Sequence, residues 1–205
     1  MLKKFLIAFA ILIPIIIGLL FLLPSEVKIR GSVEVHAPAS KIYPYVANLK
    51  NWSLWAPWKD QRKGAYKIEF TYSGPEQGEG AVMHWKDPKQ RGGSIEITKA
   101  EPNKSIEYIL TADNGAKAYG ALILTPGKEG KTRVTWLDQL NVGNNLFARF
   151  QFWAFASKSI QTQLKASLGT LKNLVEKNQK KASPKKENQR KTPTKKEPQK
   201  AAKKG

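Results

Sequence analysis

Residues Phe5 to Leu23 form a run of nineteen residues without a charged or strongly polar side chain. As a helix, this run would be about 28 Å long, which is enough to cross the hydrocarbon core of a membrane. Cleaved signal peptides usually have a shorter apolar region followed by a small-x-small cleavage site, and the segment up to Glu26 contains no such site. The sequence therefore predicts an uncleaved transmembrane anchor over residues 1–26.

The charges on either side of the apolar run predict its orientation. Lys3, Lys4 and the amino group precede it, whereas the acidic and basic residues that follow it up to Glu34 roughly cancel. By the positive-inside rule, the N-terminus should be cytoplasmic. The expected location is the cell membrane, crossed once, with the domain on the periplasmic or extracellular side.

The C-terminal end of the chain is also unlike a globular domain. Lys177 to Gly205 contains twelve Lys or Arg and two Glu, a net charge of +10 within a total of +19, and its only apolar residues besides Pro and Gly are Ala. This composition predicts a disordered tail over residues 179–205. With the domain outside the cytoplasm, its expected partners are anionic lipids or envelope polymers, and nucleic acid is unlikely. Any binding to nucleic acid would be non-specific, because base-stacking aromatic residues are missing. The candidate polyanion-binding residues are Lys185, Lys186, Arg190, Lys191, Lys195 and Lys196.

The remaining residues, 27–178, are enough for one ordinary domain. Val27 to Val35 alternates as a half-buried strand does, and a helical segment follows in which Pro44 should cause a kink or an interruption. Strand-like runs separated by turns continue to Leu140, and a helical period then links Trp153 to Val175. This order predicts an α+β fold, in which a curled antiparallel sheet of about six to seven strands surrounds a long C-terminal helix.

Three tryptophans, Trp52, Trp55 and Trp58, lie within the segment NLKNWSLWAPWKD. Such a cluster can be core, the wall of a ligand cavity, or a membrane contact, and the sequence leaves these three interpretations open. Strand alternation points further apolar and aromatic side chains into the same interior. The candidate ligand-cavity residues are Trp52, Trp55, Trp58, Phe70, Trp85, Ile97, Tyr108, Leu124 and Trp136.

Few residues are candidates for chemistry. The chain has no cysteine, which excludes disulfides, thiolate nucleophiles and Cys-based metal sites. Its two histidines lack metal-ligand spacing, and we expect neither a metal nor another cofactor. If the domain is an enzyme, the residues to examine are His84, Tyr108 and Asp138. Strand alternation points Asp138 inward, where it could act in a cavity, cap the strand end or pair with Arg149.

A set of local motifs, in this order, resembles one known family. They are Asn51-Trp52 with Trp55-x-Pro57-Trp58, Tyr72-Ser73-Gly74-Pro75-Glu76-x-Gly78, Glu101-Pro102-Asn103, Thr132-Arg133-Val134-Thr135-Trp136 and Gly143-Asn144. Between Val27 and Glu176 the chain resembles the polyketide cyclase/dehydrase and lipid-transport branch of the START-like (SRPBCC) superfamily. The resemblance implies a helix-grip fold. Pro44 and the basic tail depart from the family pattern.

The resemblance does not determine the activity, because this superfamily includes cyclases, hydrolases, lipid carriers and receptors. The leading hypothesis is a membrane-anchored, non-enzymatic binding or transfer module for a hydrophobic small molecule or lipid. The first alternative is a cyclase- or hydrolase-type enzyme that acts on a hydrophobic substrate in the same cavity. The second alternative is an envelope protein that acts by polyanion binding through its tail.

Overall fold

A computed structural model of the chain describes residues 2–58 and 68–182, without the side chains of residues 2–9, 16, 17 and 182. The helices are α1 (Leu2–Phe21), α2 (Ala39–Ala47), α3 (Leu49–Trp52), α4 (Leu146–Gln151) and α5 (Ser157–Ala182), with a 3-10 turn at Lys128–Gly130 and a π-helical turn at Phe152–Ala156. The strands are β1 (Glu26–Val35), β2 (Glu69–Ser73), β3 (Val82–Lys86), β4 (Gly92–Glu101), β5 (Ser105–Ala112), β6 (Lys117–Pro126) and β7 (Thr132–Asn141).

The seven strands form one curled antiparallel sheet in the order β1-β7-β6-β5-β4-β3-β2. The first strand pairs with the last one in sequence, so that the two ends of the domain meet at one side of the sheet. Inward residues of β1 are buried in the alternating pattern that its sequence predicts. The predicted α+β architecture of a curled sheet with a long C-terminal helix is confirmed.

Helix α5 packs against β1 and against α2. Leu164, Leu168, Leu171 and Val175 recur at helical spacing and are all buried. The helix approaches the strand closely at Gly31, where an added Cβ atom would lie only 2.2 Å from Cδ2 of Leu164. A glycine at this inward position therefore sets the distance between helix and sheet.

The prediction that Trp153 begins the buried stripe of this helix is wrong, because its side chain is 41% exposed. The reason is the π-helical turn Phe152–Ala156, which has more residues per turn than an α-helix. The extra residue changes the phase of the helix, so that Phe152 packs against the core instead of Trp153.

Pro44 lies inside α2, which continues through it to Ala47 without the interruption that the sequence suggests. The helix ends at Asn48, which has an extended backbone. The Asn48 side chain caps α3 by accepting a hydrogen bond from the Lys50 N–H. The extended residue between α2 and α3 sets the direction in which the segment with Trp52, Trp55 and Trp58 enters the interior.

Residues Leu2 to Phe21 are helical, as the apolar run predicts. Among residues with described side chains, no helix is both apolar enough and long enough to traverse a membrane. The helix α5 continues to Ala182, four residues into the predicted tail. The rest of the tail, including all six candidate polyanion-binding residues, lies outside the described residues.

Candidate functional site

Trp52 and Trp55 are fully buried and support the end of helix α2. The indole N–H of Trp52 donates to the carbonyl of Val46 at 2.9 Å, and that of Trp55 donates to the carbonyl of Tyr45 at 3.0 Å. Carbonyls in the last turn of a helix have no partner within the helix itself. These two tryptophans therefore supply the missing donors while they fill the core.

An aromatic cluster continues from these two residues across the interior. The Trp52 ring lies 5.2 Å from the Tyr108 ring in an edge contact and 6.0 Å from the Trp58 ring in a stacked one, measured between centroids. Trp136 makes edge contacts with Trp52 and Trp55 at 5.9 and 5.3 Å. Aromatic pairs at these distances contribute about 0.5–1.5 kcal/mol beyond the area that they bury. The centre of the predicted cavity is thus filled by its own side chains.

An open apolar pocket lies at the Trp58 end of this cluster. Its volume is about 220 Å³, and its described lining consists of Trp58, Ile68, Phe70, Met83, Trp85 and Leu110. The Trp58 ring also contacts Phe70, with 6.5 Å between centroids. Its indole Nε1 is buried, and no acceptor among the described residues bonds to it.

The candidate cavity residues therefore divide into two groups. Trp58, Phe70 and Trp85 are half-buried and line the pocket. The other six are packed into the core, and these are Trp52, Trp55, Ile97, Tyr108, Leu124 and Trp136. Sequence reasoning missed Ile68, Met83 and Leu110 as lining residues. The signal that could have found Leu110 is its register opposite Ile95, which depends on the strand pairing.

A buried polar network joins β5 to β7 across β6, beneath the aromatic cluster. The Tyr108 hydroxyl donates to Oδ1 of Asp138 at 2.5 Å, and Nε1 of Trp136 donates to the Tyr108 hydroxyl at 2.7 Å. Tyr108, Gly120 and Asp138 are register partners on β5, β6 and β7. The Tyr108 ring reaches Asp138 across Gly120, where an added Cβ atom would lie 2.0 Å from the ring.

Burial controls the ionisation of this pair. It raises the pKa of Asp138 above its ordinary value, although the hydrogen bonds from Tyr108 and Trp136 act in the opposite direction. Burial, followed by the charge and hydrogen bond of Asp138, raises the pKa of Tyr108 well above its ordinary value. Asp138 thus points inward as its strand position predicts, but the predicted partner Arg149 is wrong. Arg149 instead donates to the Gly143 and Leu23 carbonyls and to the Asn144 side chain.

Neither histidine belongs to this interior. His84 is exposed on β3, on the sheet face opposite Met83, and lines a hollow of about 280 Å³ there. His36 lies at the end of β1, where its backbone N–H donates to Oε1 of Glu176 at 2.9 Å and its ring Nδ1 lies 2.8 Å from the same oxygen. This pair connects the strand end to helix α5. In the described part of the chain, no three His, Asp or Glu side chains are grouped as metal ligands.

A curled seven-stranded sheet with one long C-terminal helix, an aromatic interior and a pocket at one end defines a helix-grip ligand-binding fold. Residues 26–176 match the polyketide cyclase / dehydrase and lipid transport family, and the chain belongs to this family. The resemblance of the sequence motifs to that family is therefore confirmed at the level of family and fold.

Comparison with solved structures agrees with this assignment. Norcoclaurine synthase from Thalictrum flavum is 14% identical with a TM-score of 0.52, over 73% of this chain and 86% of that one. A protein from Chromobacterium violaceum is 14% identical with a TM-score of 0.52, over 73% and 96% of the two chains. One from Rhodobacter sphaeroides is 16% identical with a TM-score of 0.51, over 72% and 91%. At these identities the likeness establishes the fold alone. A comparison with curated protein sequences gives no match.

Proposed function

We propose that the domain is a binding or transfer module that holds an apolar small molecule, or the apolar part of a lipid, in the pocket beside Trp58. The observation that carries this proposal is the pocket's lining, in which every described residue is aliphatic, aromatic or methionine. Apolar concave sites with few polar groups are typical of small-molecule binding. Norcoclaurine synthase, which has the same fold, is solved in complex with dopamine and hydroxybenzaldehyde. The fold can therefore bind aromatic molecules.

The size of the pocket limits the part of a ligand that enters it. Ligand sites usually occupy about 300–1,000 Å³, and this pocket of about 220 Å³ suits one ring or a short acyl segment. The indole Nε1 of Trp58 is buried, so the ring rather than its N–H is the part of this residue that the pocket presents. An aromatic ring or a short acyl segment that needs no hydrogen bond from the lining therefore fits the site best.

We further propose that residues 1–26 anchor this module in the cell membrane, with the N-terminus cytoplasmic and the domain outside. The support is the apolar run from Phe5 to Leu23 and the charge asymmetry around it. A tether would keep the pocket near a source of apolar ligands. The basic tail, whose polyanion-binding candidates begin at Lys185, would add a salt-dependent contact with anionic lipid or envelope polymers.

A second candidate function is catalysis by the Tyr108–Asp138 pair, and the short hydrogen bond between them favours it. A buried carboxyl group with a raised pKa can serve as a general acid or base, as a cyclase or hydrolase requires. However, the pair is covered by Trp52 and Trp136 and is not part of the lining of the apolar pocket. The geometry therefore supports binding over catalysis.

Two tryptophan variants test the binding proposal in a chain that starts at Glu26, where the family match begins. Trp58→Phe should weaken binding of a fluorescent fatty acid and change stability little, because its N–H has no described acceptor. Trp55→Phe is the matched control, since it leaves the Tyr45 carbonyl unpaired and should cost about 1–3 kcal/mol while the pocket stays intact. Calorimetry and fluorescence titration measure the two effects.

The exposed residue Phe155 provides a second control, because apolar probes also adsorb to surface aromatic groups. Phe155→Ser should leave fatty-acid binding unchanged if the probe occupies the pocket. The proposal fails if the parent domain binds no probe. It fails also if Trp58→Phe and Trp55→Phe lower stability equally and neither alters binding.

A further inference from the structure

Four aromatic side chains remain in solvent on one surface of the segment between β7 and α5. Phe147 is 65% exposed, Phe155 is 72% exposed, and Phe150 and Trp153 are about two-fifths exposed. We call these four residues the aromatic surface. Large exposed apolar groups that lie together mark a binding surface more often than chance.

The backbone of this segment gathers the four side chains. Phe147, Phe150 and Trp153 are three residues apart, which places them along one side of a helix. The π-helical turn Phe152–Ala156 then adds a residue, and the Phe155 ring lies 6.4 Å from the Phe150 ring in an edge contact. The same turn sends Phe152 into the core. One local irregularity thus exposes a cluster of rings that a regular helix would partly bury.

The aromatic surface lies beside the end of the apolar N-terminal helix. Helix α1 contacts α4, and Nη1 of Arg149 donates to the Leu23 carbonyl at 3.0 Å. The N–H of Val142 donates to the Ser25 carbonyl at 2.8 Å. These bonds hold the exit of α1 against the segment that bears the aromatic surface. Leu19, Phe21 and Leu22, at the end of α1, are themselves mostly exposed, so two apolar surfaces adjoin.

Within the sequence that carries the aromatic surface, the charged side chains are all of one sign. The sequence from Gln139 to Val175 contains no Asp or Glu, whereas it contains Arg149, Lys158, Lys165 and Lys172. Trp favours the level of the lipid headgroups, Phe inserts at the boundary between headgroups and acyl chains, and nearby basic residues attract anionic lipids. A second copy of the chain is a poorer partner, because apposing two such surfaces would bring like charges together.

We propose that the aromatic surface inserts into the headgroup layer of the membrane beside α1, so that the domain rests on the bilayer in a fixed orientation. This inference depends on the membrane anchor proposed above and is independent of ligand binding. Only four residues separate Phe21 from β1, and the Arg149 contacts restrict them further. The domain therefore lies at the membrane face wherever α1 enters it, and the aromatic surface is the nearest apolar part of the domain.

The absence of cysteine allows a direct test with single spin labels on the full chain in phosphatidylcholine–phosphatidylglycerol vesicles. Phe155→Cys is the test variant, and Tyr119→Cys is the control because Tyr119 is 56% exposed on β6. The label at residue 155 should lose most of its accessibility to a water-soluble nickel chelate and gain accessibility to oxygen, which concentrates in lipid. The label at residue 119 should remain accessible to nickel.

Three outcomes would overturn the inference, and they have different causes. If the protein sediments with vesicles but residue 155 is as accessible to nickel as residue 119, the anchor stands and the aromatic surface is not in lipid. If nickel protection comes with spin–spin broadening that disappears on dilution with unlabelled protein, a second copy covers the surface. If the protein does not associate with vesicles, the anchor fails and the inference fails with it.

Discussion

Asp138 is the residue at which burial and charge conflict most clearly. Its carboxyl group accepts hydrogen bonds from Tyr108 and Trp136, yet its surroundings are aromatic rings and the aliphatic interior. Hydrogen bonds offset only part of the cost of removing a carboxylate from water. Because burial raises its pKa in the folded state, the protonated form is the one that stabilises the fold.

The variant Asp138→Asn should therefore change stability in a pH-dependent manner. In the unfolded chain the pKa of Asp is about 3.9. Below that pH, residue 138 is therefore neutral in both the parent and the variant. As the pH rises through the raised pKa, the parent loses stability that the variant keeps, by about 1.4 kcal/mol for each unit of the shift. Denaturant unfolding at pH 4, 6 and 8 measures the difference, which should grow with pH and then level off.

The exposed residue Glu96 is the matched control, since Glu96→Gln removes a carboxylate from the outer face of the sheet and should show no such trend. A constant deficit of Asp138→Asn at all three pH values would contradict the argument.

The sequence places Asp138 correctly but cannot find its partner. Strand alternation is enough to point the carboxylate inward, because it depends on the residue's own strand. Predicting the contact with Tyr108 requires the strand order, in which β5, β6 and β7 are neighbours. It also requires the register that places Gly120 between Tyr108 and Asp138. Arg149 failed as the partner because it binds acceptors at the exit of α1, a contact 126 residues apart in sequence.

At the scale of elements, the distance between α5 and β1 depends on Gly31, which has no side chain. Gly31 lies at an inward position of β1, between Ile29 and Val33, where the pattern otherwise places apolar residues. A Cβ atom there would lie 2.2 Å from Leu164 and 3.2 Å from Leu168. A side chain of normal size would push the helix away from the sheet that it covers.

We expect Gly31→Ala to destabilise the domain by about 1–3 kcal/mol through overpacking. Leu164→Ala alone should cost about 2–5 kcal/mol, because it leaves a cavity in the same place. The double variant should be more stable than the sum of the two single effects implies, since the new methyl group occupies part of that cavity. Chemical denaturation of all three variants gives this coupling energy.

Gly169→Ala is the control for the helix, because a Cβ atom at that position meets nothing within 4 Å. It should stabilise α5 by about 0.5–1 kcal/mol, as alanine does in a helix interior. Strictly additive losses in the Gly31–Leu164 cycle would show that helix and strand are not in the close contact described.

The elements themselves were largely predictable, and the exceptions are local. Alternation and helical spacing depend on neighbouring residues, which is why the strands and the buried stripe Leu164–Val175 were found. Trp153 was misplaced because a π-helical turn changes the phase of the stripe, and periodicity assumes a constant number of residues per turn. Of the two effects expected of Pro44, the interruption does not occur, because α2 accommodates it near its end and continues only three residues further.

At the scale of the whole molecule, positive charge and apolar character are distributed unevenly. The residues from Lys177 onward carry +10 of the net charge of +19, and the longest apolar run lies at the other end of the chain. The basic tail is some 150 residues from that run, too far to influence the insertion of the span. Orientation should therefore depend on the few charges next to the apolar helix, of which Lys3 and Lys4 are uncompensated.

A reporter enzyme fused after Gly205 tests this orientation. If the enzyme works only outside the cytoplasm, we expect the fusion to be active. Replacing Lys3 and Lys4 by Glu should reduce or reverse the preference, because the segment before the span would then be net negative and Lys28 and Arg30 would be the nearest basic side chains. A second reporter, which fluoresces only in the cytoplasm, gives the opposite readout. It is fused to the parent and to the variant with Glu at positions 3 and 4. Activity confined to the cytoplasm would contradict the orientation, and a mature N-terminus near Pro24 would show that the span is cleaved and is no anchor.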